Sequence, residues 1–188
     1  MFRTAFSTVA CPDWTLPRVA QAASDYGYDA VELRTFGSGS TQFACDPALT
    51  APEKTRALFQ AAGVEIACLA TSVAFDAPIR PPVIGRVKDT ELSVRQAKAA
   101  IDLAATLECP LVRVFGFEHP ANEKRAAAVA RITERLALAV DGARNLGVRV
   151  VIENGGSFPR ARDLMELIDA AEGADRLASR KVQGHDAQ

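Results

Sequence analysis

Apolar positions recur along this chain with two spacings that alternate from one end to the other. Short β-branched and apolar runs predict strands at Phe2–Val9, Ala30–Arg34, Val64–Thr71, Leu111–Phe117 and Val148–Ile152. Between them, apolar residues return every three or four positions, as on one face of a helix. Leu16, Val19, Ala20 and Ala23 follow a turn built on Pro12, Asp13 and Thr15. Thr55, Leu58, Phe59 and Ala62 follow Pro52, a residue suited to a first helical turn. Val94, Ala97, Ile101 and Ala104 mark a helix over about Asp89 to Leu107. Val129, Ile132, Leu136, Val140 and Ala143 mark the longest one, Glu123–Leu146. Leu164, Leu167 and Ile168 face inward from a last helix over about Ala161 to Ala171. Two stretches break the rhythm: Phe36–Thr50, rich in Gly, Ser and Thr, and the segment holding Pro78, Pro81 and Pro82.

The strand-then-helix unit occurs five times. Three junctions look alike, YGYDAVEL, AGVEIACL and LGVRVVIE, each ending a helix on Gly and launching a strand at once. A unit recurring every roughly 35–45 residues is a supersecondary repeat, and strands alternating with helices imply a parallel sheet. A doubly wound nucleotide-binding sheet would carry G-x-G-x-x-G after its first strand, and none is there. Gly37-Ser38-Gly39 reads as an active-site loop or linker rather than a phosphate cradle. The pattern favours an α/β fold of the (β/α)8 TIM-barrel type. At 188 residues, with about five units, it is incomplete, since such barrels run to about 250 residues. Residues 1–172 form the partial barrel, and 173–188 are expected to be a polar, disordered or aberrant tail.

Candidate chemistry concentrates in Val148–Phe158, VRVVIENGGSF. If Val148–Ile152 is a buried strand, Glu153 stands at its C-terminal end, where α/β folds place their active groups. Side chains alternate along a strand, so Val150 and Ile152 meet the helices while Glu153 faces the barrel interior. The same alternation turns Glu32 and Arg34 of strand two, and Arg113 of strand four, inward. Ionisable groups brought together in this way must be paired or bind something. Glu32, Arg34 and Arg113 have a plain alternative as an internal ion-pair network. Glu153 has one as a cap on the Gly155–Gly156 turn. His119, in the loop after strand four, is either a substrate contact or a solvated loop histidine.

Composition narrows the partners. The net charge of −1 and pI of about 6.1 leave no basic footprint for nucleic acid. The amino terminus, MFRTAFSTVACPDW, has no long apolar run and reads as neither signal peptide nor membrane span. Cys11, Cys45, Cys68 and Cys109 are dispersed without a C-x-x-C, and Cys68 sits in an apolar run, so a reduced, cytoplasmic protein is expected.

FSTVACPD, YGYDAVELR, VRVFG and above all VVIENGGSF carry a resemblance over about Phe2 to Ala171. They resemble the xylose isomerase-like barrel superfamily, whose members include sugar and sugar-phosphate isomerases and epimerases, inosose dehydratases and endonuclease IV. The resemblance implies a barrel holding a divalent metal (Mn, Mg, Co or Zn) and acting on a small carbohydrate. Glu153 would be a metal ligand and would move a proton beside a ketose carbonyl, with Glu32 near the substrate. Arg113 and His119 complete the candidate substrate contacts. Two departures stand out. Gly155 occupies the position where many relatives carry a histidine directly after the Glu-Asn pair. The family's other ligands, Asp, His and Glu, come from strands six to eight, for which this chain has no sequence.

The chain is therefore expected to be an N-terminal piece of an isomerase or epimerase lineage, inactive by itself. An inosose dehydratase-like lyase is the alternative within the enzymes. A non-catalytic half-barrel that pairs with itself or another chain through its open strand edges is the alternative outside them.

Overall fold

A computed structural model describes residues 2–35, 51–77 and 84–183, and within these the side chains outside 84–91 and 173–183. Phe36–Thr50 with Cys45, the prolines at 78, 81 and 82, and His185 lie outside the described residues. The elements follow one another as β1 (Ala5–Ser7), a 3-10 turn (Thr8–Ala10), α1 (Leu16–Asp25), β2 (Ala30–Arg34), α2 (Pro52–Ala61), β3 (Glu65–Ala74), α3 (Ile84–Thr106), β4 (Leu111–Phe115), α4 (Arg125–Gly142), β5 (Arg149–Glu153) and α5 (Ala161–Gln183). The strands form one sheet in the order β1-β2-β3-β4-β5. Sequential strands that neighbour one another through helical crossovers are what repeated β/α units produce.

Several boundaries move, each for a local reason. β1 is shorter than expected because the Ser7 hydroxyl accepts the Val9 N–H (3.3 Å) and starts the 3-10 turn. At its other end Thr4 N–H donates to the Asp29 carboxylate (2.6 Å). β3 runs on to Ala74, since Thr71 and Val73 continue the buried alternation past an exposed Ser72. β4 stops at Phe115, with Phe117 in the left-handed region (φ 66°). α4 is trimmed to Arg125–Gly142, and α5 extends to Gln183, beyond its apolar stripe.

Contacts divide the chain into two compact units, the first comprising Met1–Ser72, Lys98–Val114 and Ala143–Val151. There Leu16, Val19, Ala20 and Ala23 of α1 are all buried, as their spacing predicts, together with Val31 and Leu33 of β2 and Val112 and Val114 of β4. The other face of these strands keeps Glu32, Arg34 and Arg113, each half-buried. The parallel register slips between Val31↔Ile66 and Glu32↔Cys68, so β3 carries Ala67 as an extra residue, a bulge. Ile66 thereby pairs with Val31 and Cys68 with Glu32. The Thr71 hydroxyl donates to the Arg113 carbonyl (2.7 Å).

The second unit comprises Val73–Ala97, Phe115–Gly142 and Ile152–Gln188. Val94 and Ala97 of α3, Ile132 and Leu136 of α4, Phe158 and Leu167 are buried in it. Here the expected stripe of α4 needs correcting: Val140 is 42% exposed, while Arg131 and Arg135 are buried. The buried face of the helix keeps Ile132 and Leu136 and takes in the two arginines, because each guanidinium finds backbone carbonyl acceptors there. Arg135 Nη1 donates to the carbonyls of Phe75 and Ala77, each at 2.7 Å. Arg131 reaches the carbonyls of Phe75, Asp76 and Ala77 and pairs with Glu123. Buried charge is tolerable when hydrogen-bonded in this way, and the planar guanidinium suits several acceptors at once. Close packing accompanies it: a Cβ on Gly116 would stand 2.7 Å from Leu167 Cδ1.

Arg135→Leu strands the Phe75 and Ala77 carbonyls just past β3 and is expected to lower unfolding stability by about 2–4 kcal/mol, read by denaturant titration. An unchanged midpoint would show that the guanidinium contributes nothing net.

Candidate functional site

Glu153 is the last residue of β5 and is exposed. Its neighbour Ile152 points the opposite way, toward the Gly116 position that Leu167 and Phe158 also fill. Strand alternation accordingly turns the Glu153 side chain to the face away from α5, as expected. The chain then folds back on itself at once. Gly155 N–H donates to the Phe158 carbonyl (3.1 Å) and Phe158 N–H to the Gly155 carbonyl (2.9 Å). Gly156 adopts φ 52°, and a Cβ there would meet the Phe117 carbonyl oxygen at 2.7 Å. Glycine is required at that point on both counts.

This turn is bound to the loop after β4. Ser157 N–H donates to the Phe117 carbonyl (2.9 Å), and His119 N–H donates to the Ser157 hydroxyl (3.1 Å). That hydroxyl donates in turn to Glu118 Oε2 (3.0 Å), while Glu118 N–H donates to Asp76 Oδ2 (3.2 Å). The second unit therefore gathers Asp76, Glu118, His119 and Ser157 with Glu153 just ahead of the turn. His119 is half-buried, and its ring Nδ1 stands 3.3 Å from the Pro120 carbonyl. Asp76, Glu118 and Ser157 are absent from the sequence reading. Only their position, immediately after predicted strands, could have drawn attention to them.

Arg125, at the first position of α4, ties the turn down further. Its Nη1 donates to the Ser157 carbonyl (3.2 Å), its Nη2 to Asp163 (3.2 Å) and Glu166 (2.7 Å). Asp163 sits in the first turn of α5, where it also accepts from Arg160 N–H (3.0 Å). Burial alone would push the Asp163 carboxyl up. The Arg160 bonds and the Arg125 charge outweigh burial and hold the carboxyl below its ordinary value.

Glu32 and Arg113 belong to the first unit, on either side of Cys68. Burial, then the Glu32 carboxylate, pushes the Cys68 thiol up to about 12, while Arg113 acts the other way. Glu32 and Arg113 thus both act on one buried thiol, with opposite sign. Cys109 is pushed up to about 11 by burial, and Cys11 upward for the same reason. These thiols are inert hydrophobes rather than nucleophiles.

Among the described residues, no three His, Cys, Asp or Glu side chains stand close enough together to hold a metal ion. Glu153 can supply one ligand, and the described residues do not fit a complete centre around it. No helix among the described residues is long and apolar enough to cross a membrane.

Residues 20–178 match the family described as Xylose isomerase-like TIM barrel. No curated protein matches the chain in sequence. Among solved structures, the IOLI protein with a binding zinc atom aligns at a TM-score of 0.73 and 13% identity, over 91% of this chain and 59% of that one. The probable 3-DHS dehydratase AsbF, involved in petrobactin synthesis in Bacillus anthracis, aligns at 0.69 and 12% identity, over 91% and 60%. L-ribulose 3-epimerase aligns at 0.67 and 15% identity, over 92% and 58%. The chain spans about three fifths of the length of each. At these identities the likeness shows the fold, five β/α units of the TIM-barrel type.

Gly156→Ala is expected to cost about 1–3 kcal/mol in thermal or chemical unfolding, since it meets both strain and backbone. In a Cys45→Ser background, no thiol should react rapidly with a disulfide probe at about pH 8 until denaturant is added. A fast-reacting native thiol would contradict the burial of all three. Asp163, with its carboxyl held low, stabilises the fold above the ordinary aspartate range and loses that contribution as pH falls through its folded value. Asp163→Asn should therefore flatten the acid limb of the stability curve, and an identical acid limb would contradict this.

Proposed function

The chain belongs to the xylose isomerase-like TIM barrel family, and from that premise we propose that it serves a sugar or sugar-phosphate isomerase or epimerase. The observation that supports this most directly is Glu153, an exposed carboxylate at the C-terminal end of a barrel strand, followed by a turn that hydrogen bonds hold in place. Moving the proton on a carbon beside a ketose carbonyl needs a base near that C–H, and a glutamate carboxylate suits the task. Glu153 is assigned that role. His119, whose backbone N–H is bound to Ser157, four residues after Glu153, is assigned to substrate hydroxyls, as are Glu32 and Arg113. A divalent metal would polarise the ketose carbonyl in such an enzyme. Here Glu153 would be one ligand, and the rest would have to come from outside the described residues. The chain alone is accordingly proposed to bind its sugar without turning it over.

A lyase of the dehydratase kind is a second reading, supported by the likeness to a 3-DHS dehydratase. β1 and β5 end the strand order of the described sheet, and Val150, Val151 and Ile152 of β5 are only half-buried, unlike Val112 and Val114 of β4. A further strand, from the same polypeptide or a second copy, is proposed to cover that edge. Light scattering of the purified chain reads which it is: a discrete dimer supports the second copy, and a stable monomer removes it.

The functional reading is tested by titrating the isotopically labelled chain with L-ribulose or D-fructose and following backbone amide resonances. Saturable shifts are expected at Glu153, Asn154 and His119, lost in Glu153→Gln. Shifts that ignore Glu153, or survive the substitution, would overturn its role. Epimerisation by the chain with Mn alone would contradict the need for further ligands.

A further inference from the structure

We infer that Arg125 is a positioning residue, a latch that fixes the turn carrying Glu153 to the start of α4. Four kinds of contact converge on this one side chain. Nη1 donates to the Ser157 carbonyl, inside the turn. Nε and Nη2 both donate to Glu166 Oε2, at 3.2 and 2.7 Å. Nη2 also donates to Asp163 Oδ1, whose side chain is only 7% exposed. The guanidinium carbon lies 4.9 Å from the centroid of the Phe158 ring, and Phe158 is fully buried while pairing its backbone with Gly155 at both ends.

One cation thus holds the turn by a carbonyl, by a ring and by the first two turns of the helix that follows. The Arg125 side chain is itself 37% exposed, so no single ion pair here is strong. The effect lies in the combination. A planar fork can face a carbonyl, two carboxylates and an aromatic face together, whereas a lysine ammonium cannot. Gly155 and Gly156 impart no stiffness of their own to the backbone after Glu153. Without the latch, Ser157 would keep its bonds to Phe117, His119 and Glu118 but lose the one that ties it to α4.

The consequence for ligand binding rests on Glu153 being the functional carboxylate; the latch itself does not. Arg125→Lys separates the two roles that Arg125 combines. Lysine retains the charge facing Asp163 and Glu166, and so the anchoring of α5, but gives up the stacked, forked hold on the turn.

The test measures amide hydrogen exchange at Gly155, Ser157 and Phe158 in the full chain, in Arg125→Ala and in Arg125→Lys, with the thermal midpoint and the L-ribulose titration alongside. Exchange in the turn is expected to rise roughly tenfold to a hundredfold in Arg125→Ala, as loss of bonds to a charged group implies. Arg125→Lys should restore the thermal midpoint but not the protection of the turn, and should bind L-ribulose about tenfold more weakly than the parent. Unchanged exchange in Arg125→Ala would overturn the latch. So would a uniform rise across α4, α5 and the turn that Arg125→Lys fully reverses, because that is the signature of general stability. If the parent chain gives no L-ribulose shifts at all, the functional reading fails while the exchange result still decides the latch. If L-ribulose affinity is unaltered in a variant whose turn has lost protection, the positioning role is overturned.

Discussion

Side chains on a strand point alternately to its two faces, and the placement of charge in this protein depends on that constraint. Val31 and Leu33, and Val112 and Val114, are completely buried on one face, which leaves Glu32, Arg34 and Arg113 on the other. Ile152 goes under Leu167 and Phe158, and Glu153 is carried to the opposite side. Near the start of β3 the register shifts by one residue at Ala67, which brings Cys68 beside Glu32. Burial on one face and charge on the other are two results of the same geometry.

The apolar pattern made much of this fold legible. Strand β2 has the predicted bounds, and the buried stripes of α1 and α3 are the predicted residues. Strong periodicity reports packing, and packing dominates those elements. The misses occur where polar groups decide. No hydrophobic pattern announces that Arg131 and Arg135 will be buried, because their burial depends on carbonyls just past β3, more than fifty residues away in sequence. Likewise β1 was cut short by a serine hydroxyl and β4 by a left-handed phenylalanine, both local events beneath the resolution of a pattern.

In the candidate site, Glu153 was legible and the groups around it were not. Glu153 could be singled out from VVIENGG, since a charged residue ending a β-branched run is conspicuous. Ser157, Glu118, Asp76 and Arg125 could not. Each is an ordinary polar residue in a loop or helix start, and only the fold shows that they bond to one another around a single turn.

The most direct measurement is a crystal structure of the chain with L-ribulose. The expected result is a sugar hydroxyl or carbonyl oxygen about 3 Å from the Glu153 carboxylate, on the side of the loop bearing His119. A sugar bound away from Glu153, or a Glu153 carboxylate turned onto backbone N–H groups of the turn at saturating sugar, would contradict it. In that case Glu153 would be a turn cap, and the chain's chemistry would have to be sought elsewhere.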